Sequence, residues 1–429
     1  MTAPAGAPAA AELRVSRIGS DGDGVGHLPD GIVVYLPGTL PGETVLAHPQ
    51  FKRGDGWAGT ADLLATSDDR AAPPCPHFGP CGGCALQHWR DDSYLAWKTA
   101  LLETALRRAG YGEMPAPAIR TPPGARRRVD LAIRRQGPAL LLGLHGKRSA
   151  DIVDLHACPV LHPDLFALIA PLRTLLRGLG GLRRHGSAIL NLLDSGPDLL
   201  LRTDAALTTA DRTKLAAFAQ AHGLPRITAA IGDGPHESAA LLRPPTTAMS
   251  GITVTPPPGA FLQASAEGEA AIIAAVLAGL PKLAGKARIA ELYAGCGTLT
   301  FALAKQARIA AFEGDIEAHA ALRQAANNSG LAGRVEALRR DLTRQPLSAK
   351  ELAAFGAVVL DPPHGGAVTQ AALIAASGVA RIIYVSCNPA TLGRDAKLFR
   401  DAGYKLLAAT PIDQFLWSPR LESVTVFAR

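Results

Sequence analysis

Between Leu13 and Leu64 short apolar runs alternate with turn signals: Ile32–Leu36, Thr44–His48 and Trp57–Leu64 read as strands, separated by Gly-Asp, Pro-Asp-Gly and Pro-Gly pairs that favour tight bends. This spacing predicts a small β-barrel. Lys52 and Arg53 fall in the Gly-rich turn between the second and third of these strands, where a barrel of the oligonucleotide-binding kind offers cations to a phosphate backbone. After the Pro- and Cys-rich stretch Pro73–Cys84 the period changes. Leu95, Leu101, Leu102, Ala105 and Leu106 predict a helix over 94–109. Residues 125–250 mix strand and helix patterns without an internal repeat.

The last third has a regular rhythm. The short apolar strands Ile289–Tyr293, Ile309–Phe312, Ala357–Leu360 and Ile382–Ser386 alternate with Ala- and Leu-rich helical stretches, the pattern of a doubly wound parallel sheet. A further strand is expected to end at Asp341. Such sheets bind ligands at the carboxyl ends of their strands, and the motifs below all fall there.

The chain has 429 residues, 48% hydrophobic and 19% charged, which fits two or three compact domains rather than a disordered or fibrous protein. Met1–Ala10 is Ala- and Pro-rich; disorder is expected there, and it does not read as a secretory signal. No apolar run approaches the length of a membrane helix, so a cytoplasmic location is the expectation; a monomer is expected as well. The net charge of +7 and pI near 9.2 suggest an anionic partner only weakly. Local clustering says more: Arg126, Arg127, Arg128, Arg134, Arg135, Arg183 and Arg184 read either as a phosphate-contacting surface or as a solvated basic face.

Six cysteines are unevenly placed. Cys75, Cys81, Cys84 and Cys158 lie in the first half, Cys296 and Cys387 in the second. In a cytoplasmic chain the first group suggests metal more than disulfides, and the spacing alone leaves iron–sulfur ligation and zinc open.

Glu291-Leu-Tyr293-Ala-Gly295-Cys-Gly297-Thr298 follows the first strand of the last third and opens a helix, so its glycines permit a tight turn and close approach to a ligand. Glu313, at the end of the next strand, can hold two ribose hydroxyls. Leu299 and Thr300 break the full dinucleotide fingerprint, which favours an adenosine cofactor without pyrophosphate. Asp361-Pro362-Pro363 ends the fourth strand, and Ser386-Cys387-Asn388-Pro389 the fifth. There Cys387 leaves the sheet at its ligand-binding edge.

With these motifs the chain resembles the RNA uridine-5 methyltransferases of the iron–sulfur type, which act on bacterial 23S ribosomal RNA, over nearly its whole length. The pairing of Ser-Cys-Asn-Pro with Asp-Pro-Pro is the most specific part. Pro41-Gly42-Glu43 resembles a turn of the TRAM barrel, and Phe261-Leu-Gln263 a substrate and cofactor motif. The resemblance implies an OB-like TRAM β-barrel over 10–68. It implies a central α+β iron–sulfur and RNA-binding domain over 69–92 and 125–255, and a Rossmann-like methyltransferase domain over 93–124 and 256–429.

It further implies S-adenosylmethionine contacts at Gln263, Tyr293, Gly295, Gly297, Thr298, Glu313, Asp341 and Asp361. Cys75, Cys81, Cys84 and Cys158 would hold a [4Fe–4S] cluster. Cys387 would add to carbon 6 of uracil, because carbon 5 is too weak a nucleophile to take a methyl group directly, and Glu422 would then remove the carbon 5 proton. The target uridine would have to leave its stack. Three positions depart from the family pattern: Ser265 where Asn is usual, His364 where Arg is usual after Asp-Pro-Pro, and Arg420 where His is frequent before the base.

The partner expected is RNA, ribosomal before transfer RNA, with no membrane. A transfer-RNA uridine-5 methyltransferase is the alternative. Two further rivals are an amino-group methyltransferase, which would stay active as Cys387→Ala, and an RNA-binding or assembly protein with a vestigial transfer site.

Overall fold

The computed structural model describes residues 7–283 and 287–429. Contacts divide the chain into two compact units: Met1–Lys98 with His145–Asp151 and Phe415–Pro419, and Thr99–Leu144 with Ile152–Gln414 and Arg420–Arg429. The disorder expected over Met1–Ala10 falls mostly outside the described residues; residues 7–10 have no regular structure.

In the first unit, Ala11–Arg14, Arg17–Ile18, Gly24–His27, Val33–Leu36, Thr44–Arg53 and Gly56–Ala65 form one six-stranded sheet. It is a half-barrel over Leu13, Val15, Leu28, Val34, Leu36, Val45 and Ala47. The two long strands pair antiparallel so tightly that a Cβ on Gly59 would stand 1.9 Å from the His48 carbonyl oxygen. Glu43 is fully buried and accepts from Leu40 N at 2.7 Å and from Arg70 Nε at 2.6 Å, closing the Pro41-Gly42 turn. The two cations expected to face phosphate are partly committed inside this unit. Arg53 pairs with Asp23 at 2.7 Å and lies 4.0 Å from the Tyr35 ring centroid, and Lys52 stands 4.9 Å from that of Trp57.

The second unit holds two large sheets. Seven strands, in the order Ile152–Asp154, Ala139–His145, Arg128–Gln136, His185–Leu193, Gly196–Thr203, Arg226–Ile231 and Glu237–Leu241, carry the helices Ile169–Arg177 and Thr209–His222 over a Leu-rich core. Thr208 and Asp211 form a capping box at the start of the second helix, which ends on left-handed Gly223, the preferred chemistry at each end.

The other sheet has eight strands, ordered Val335–Arg339, Arg308–Glu313, Arg288–Leu292, Ala357–Leu360, Arg381–Ser386, Glu422–Ala428, Lys405–Asp413 and Ile119–Arg120. The first five are mutually parallel, and Glu422–Ala428 enters antiparallel against both neighbours. Apolar side chains cover both faces, Leu102, Leu106, Tyr384, Phe399 and Phe427 on one and Ile272, Phe301, Leu322 and Val424 on the other, as a parallel sheet requires. The four expected strands are present, Ala357–Leu360 with the expected bounds and the others shifted or extended by one residue; the strand expected to end at Asp341 ends at Arg339. Successive crossovers run outward from Arg288–Leu292 in one direction and from Ala357–Leu360 in the other. The crevice between them is the switch point where such sheets bind ligands. Among the described residues no helix is long and apolar enough to cross a membrane.

Candidate active site

Strand Arg288–Leu292 delivers Tyr293 in a left-handed conformation, φ 64°, which ends the strand one residue earlier than its hydrophobic pattern suggests. The chain then turns through Gly295 (φ 57°) and Gly297 (φ 106°). Gly297 is needed for packing, since a Cβ there would stand 2.5 Å from Phe301 Cε2. Gly295 instead faces open space, with nothing within 4 Å of a Cβ built on it. Its N–H donates to Glu313 Oε2 at 2.7 Å, while Glu313 Oε1 accepts from Asp315 N at 2.8 Å, so the acidic end of the second strand fixes the loop. Thr298 Oγ1 lies 3.8 Å from Met249 Sδ. Asp341 is exposed and accepts from Thr343 N at 3.0 Å.

Next to this loop runs a chain of buried side chains. Gln263 Nε2 donates to Asp361 Oδ2 at 3.2 Å, and Gln414 Nε2 donates to Gln263 Oε1 at 2.8 Å and to Glu422 Oε2 at 2.9 Å. Gln414 Oε1 accepts from Ala264 N at 3.0 Å. The two ends are carboxyl groups that repel each other out of water: burial, then mutual repulsion, holds Glu422 above the usual carboxylate range, and burial does the same to Asp361. Glu422 Oε1 has no hydrogen-bond partner among the described residues. Glu291, on the strand before the glycine loop, is a third such group; burial and the charges of Asp361 and Glu313 push it up to about 8. A cationic ligand would relieve all three.

Cys387 ends strand Arg381–Ser386, and Asn388 caps the following helix, Pro389–Asp401, through its side chain to Ala390 N at 3.0 Å. Burial, reinforced by Glu422 and Asp361, pushes the Cys387 thiol up to about 11, with Arg420 pulling the other way. The sulfur is half-buried, whereas Cys296 is buried and its thiol is pushed up to about 12. The first is therefore accessible at a strand end and the second inert in the core. His364 Nδ1 lies 3.6 Å from Cys387 Sγ, and Arg420 Nη1 donates to the same nitrogen at 3.0 Å. Two of the three positions that depart from the expected pattern thus meet over the sulfur. The third, Ser265, caps helix Ala266–Gly279 by accepting from Gly268 N at 3.0 Å.

The arginine cluster divides by role. Arg127 Nε donates to the Gln263 carbonyl at 3.1 Å and its guanidinium pairs with Glu269, steadying the buried chain of amides. Arg135 donates to the Leu176 and Leu182 carbonyls at 2.9 and 3.0 Å, closing the end of helix Ile169–Arg177. These two are structural, which neither the phosphate-contacting nor the solvated reading of the cluster anticipated. Arg183 and Arg184, with His185 and Arg202, line a concavity of ≈ 550 Å³ in which none of the residues above takes part.

Cys75, Cys81, Cys84 and Cys158 take part in no disulfide among the described residues and are partly buried; the first three belong to the first compact unit and Cys158 to the second. Among the described residues no three His, Cys, Asp or Glu side chains stand together in a way that could hold a metal ion.

The tRNA (uracil-5-)-methyltransferase family matches residues 256–429, the segment that carries this site, and the TRAM domain matches residues 11–48. A 23S rRNA (uracil(1939)-C(5))-methyltransferase of Pectobacterium atrosepticum, RlmD, is 34% identical across 97% of this chain and 93% of its own. The chain belongs to the RNA uracil-5 methyltransferases. It is an S-adenosylmethionine-dependent RNA uracil-C5 methyltransferase. An uncharacterized RNA methyltransferase of Brucella suis biovar 1 is 38% identical over 97% of this chain and 98% of its own. The Pyrococcus abyssi tRNA (uracil-54, C5)-methyltransferase, solved with S-adenosyl-L-homocysteine, shares the fold at a TM-score of 0.72 and 20% identity, covering 97% of this chain and 99% of the other.

For a uracil-5 methyltransferase, sequence reasoning missed two groups. Glu291 was visible only as the first letter of the glycine motif, and nothing in the linear pattern marks Gln414.

Proposed function

We propose that this methyltransferase modifies carbon 5 of one uridine in 23S ribosomal RNA through a covalent bond between Cys387 and carbon 6 of the base. The observation that carries the reading is the placement of Cys387 at a strand end within electrostatic reach of both Glu422 and Asp361, at the edge where the glycine loop opens. Gln263, Tyr293, Gly295, Gly297, Thr298, Glu313, Asp341 and Asp361 would hold S-adenosylmethionine. The open face of Gly295 and the carboxyl groups of Glu291, Glu313 and Asp361 suit an adenosyl cation. When bound, that cofactor supplies an electrophilic methyl group.

The chain's own residues do the rest. The Cys387 sulfur adds to carbon 6, which makes carbon 5 nucleophilic. Asp361 and Gln263 orient uracil or cofactor through the amide chain that ends on Glu422. Glu422, whose proton affinity is raised into the working range by burial, removes the carbon 5 proton once that carbon is methylated, and the sulfur then leaves.

The ribosomal target is supported by the 34% identical relative that bears that name. The family matched over residues 256–429 is described as a transfer-RNA enzyme, which keeps transfer RNA as the second reading. The concavity lined by Arg183, Arg184 and Arg202 is the proposed RNA-backbone surface of the central sheet. The donor chemistry of Cys75, Cys81, Cys84 and Cys158 suits a [4Fe–4S] cluster with a structural role, although their side chains are not gathered as a metal set. Iron and acid-labile sulfide near four each per anaerobically purified chain, lost together with folding in Cys81→Ser, support it. Zinc in place of iron, or full folding and activity without iron, overturns it.

The target is tested with tritiated S-adenosylmethionine and RNA lacking 5-methyluridine, using wild type and Cys387→Ala in parallel. Labelled 5-methyluridine confined to 23S RNA and to wild type is expected. Label in transfer RNA selects the second reading; label on another nucleoside, or an active Cys387→Ala, rejects the mechanism.

A further inference from the structure

His364 sits on the turn after Asp361-Pro362-Pro363 with its imidazole over the nucleophile. Its Nδ1 lies 3.6 Å from Cys387 Sγ. The turn is held by Asn388 Nδ2 and Thr391 Oγ1, which donate to the His364 carbonyl at 3.1 and 3.4 Å, and by Arg394, which donates to the Gly365 carbonyl at 3.1 Å. From the other side Arg420 Nη1 lies 3.0 Å from Nδ1 and 3.3 Å from Nε2, and Asn388 Nδ2 lies 3.4 Å from Nε2, so donors face both ring nitrogens and Nδ1 is the one that also faces the sulfur. The charged and titratable groups around the pair are Arg420 beside the ring, Arg394 on the next helix, and Glu422 and Asp361 behind the sulfur.

A difficulty in the mechanism gives this contact meaning. Burial and two carboxyl groups hold the proton on Cys387, with a pKa of about 11, so on the order of one thiol in several thousand is ionised near pH 7.5. Burial and Arg420, by contrast, lower the proton affinity of His364, which leaves the ring neutral and able to accept.

We propose that His364 is a catalytic residue, the proton acceptor for Cys387. This rests on the reading that Cys387 is the nucleophile. As sulfur bonds to carbon 6, the S–H proton passes to His364 Nδ1 and the carbon 5–carbon 6 π pair moves onto the uracil carbonyl as an enolate. When the S–C6 bond breaks at the end, the sulfur recovers that proton. Histidine therefore finishes unchanged, and the carbon 5 proton, taken by Glu422, is the one released to solvent. Arg420 also favours the thiolate by its charge. Glu422 and His364 thus handle different protons on opposite sides of the reaction.

The test follows formation of the covalent adduct between enzyme and 5-fluorouridine-substituted target RNA in rapid-mixing experiments from pH 6 to 10. Wild type, His364→Asn, His364→Gln and Cys387→Ala are compared, with S-adenosylhomocysteine affinity as the check on the fold. Wild type should reach a plateau below about pH 7, once His364 has lost its proton. Both His364 variants should bind S-adenosylhomocysteine normally and form adduct about 100-fold more slowly at pH 7. Their rates should then climb about tenfold per pH unit toward the range of the free thiol. Adduct formation in either His364 variant with the wild-type rate and profile overturns the proposal. Adduct formation by Cys387→Ala overturns instead the nucleophile assignment on which it rests.

Discussion

Replacing Glu291 by Gln isolates the electrostatic cost of the cofactor crevice. The folded chain buries this carboxyl almost completely, with 2% of its surface exposed, and raises its pKa from 4.5 to about 8. Because the folded value is the higher one, the stabilisation is complete below pH 4.5 and is lost as the pH rises through about 8. At about 1.4 kcal/mol per unit, the loss is roughly 3 kcal/mol by pH 7 and about 5 kcal/mol above pH 8. Glutamine has the same shape and no charge to bury, so it escapes this loss. Relative to wild type, the ligand-free variant should therefore gain about 4 kcal/mol between pH 5 and pH 9, or roughly 8 °C in the melting temperature of the second unit. Melting curves of both proteins at half-unit pH steps measure it. A difference that stays constant within about 2 °C across that range would show that Glu291 titrates normally, and the description of the crevice as a strained cluster of carboxyl groups would be wrong.

Four other variants separate roles that proximity alone does not. Glu422→Gln preserves the hydrogen bond from Gln414 and removes the base, so a methylated covalent RNA adduct should accumulate while product release slows about 10²–10⁴-fold; wild-type turnover without adduct refutes the assignment. Gly297→Ala puts a Cβ 2.5 Å from Phe301 Cε2 and 2.8 Å from Leu322 Cδ1 at a φ of 106°, so it should cost about 1–3 kcal/mol of stability and weaken S-adenosylmethionine binding about tenfold, measured by calorimetry. Unchanged melting and affinity would contradict the packing role. Arg135→Ala should lower the melting temperature and leave the salt dependence of RNA binding unchanged, whereas Arg183→Ala with Arg184→Ala should reduce that salt slope by about one to two. The reverse pattern would reassign the cluster.

The parallel half of the methyltransferase sheet was legible because four of its five strands are largely apolar, buried runs, three of them closed by a residue with chemistry: Glu313, Asp361 and Cys387; the fifth, Val335–Arg339, mixes polar and apolar positions. The antiparallel edge was not. Lys405–Asp413 alternates buried and exposed positions irregularly and carries Pro411 and a register shift between Leu406 and Ala408, so neither strand nor helix period stands out. Side chains distant in sequence were identified one by one, but their pairing was beyond reach. Gln263 and Asp361 are 98 residues apart, and the link from Gln263 to Glu422 runs through Gln414, which belongs to no motif. Charge counting failed for a similar reason. Arg135 and Arg183 look alike in the sequence, yet only the backbone carbonyls at a helix end and a loop respectively decide that the first is spent on structure. The meeting of His364 with Arg420, 56 residues apart, turns two isolated departures from a pattern into one feature.

The central claim is the identity of the atom that attacks uracil, and peptide mapping tests it most directly. Wild-type enzyme trapped with 5-fluorouridine-substituted 23S RNA and S-adenosylmethionine, then digested with protease and nuclease, should yield by mass spectrometry a nucleotide-modified peptide containing Ser386-Cys387-Asn388, with the added mass on Cys387. The same mass on Cys296 or on any other residue, or methyl transfer that proceeds with no covalent peptide at all, would contradict the account.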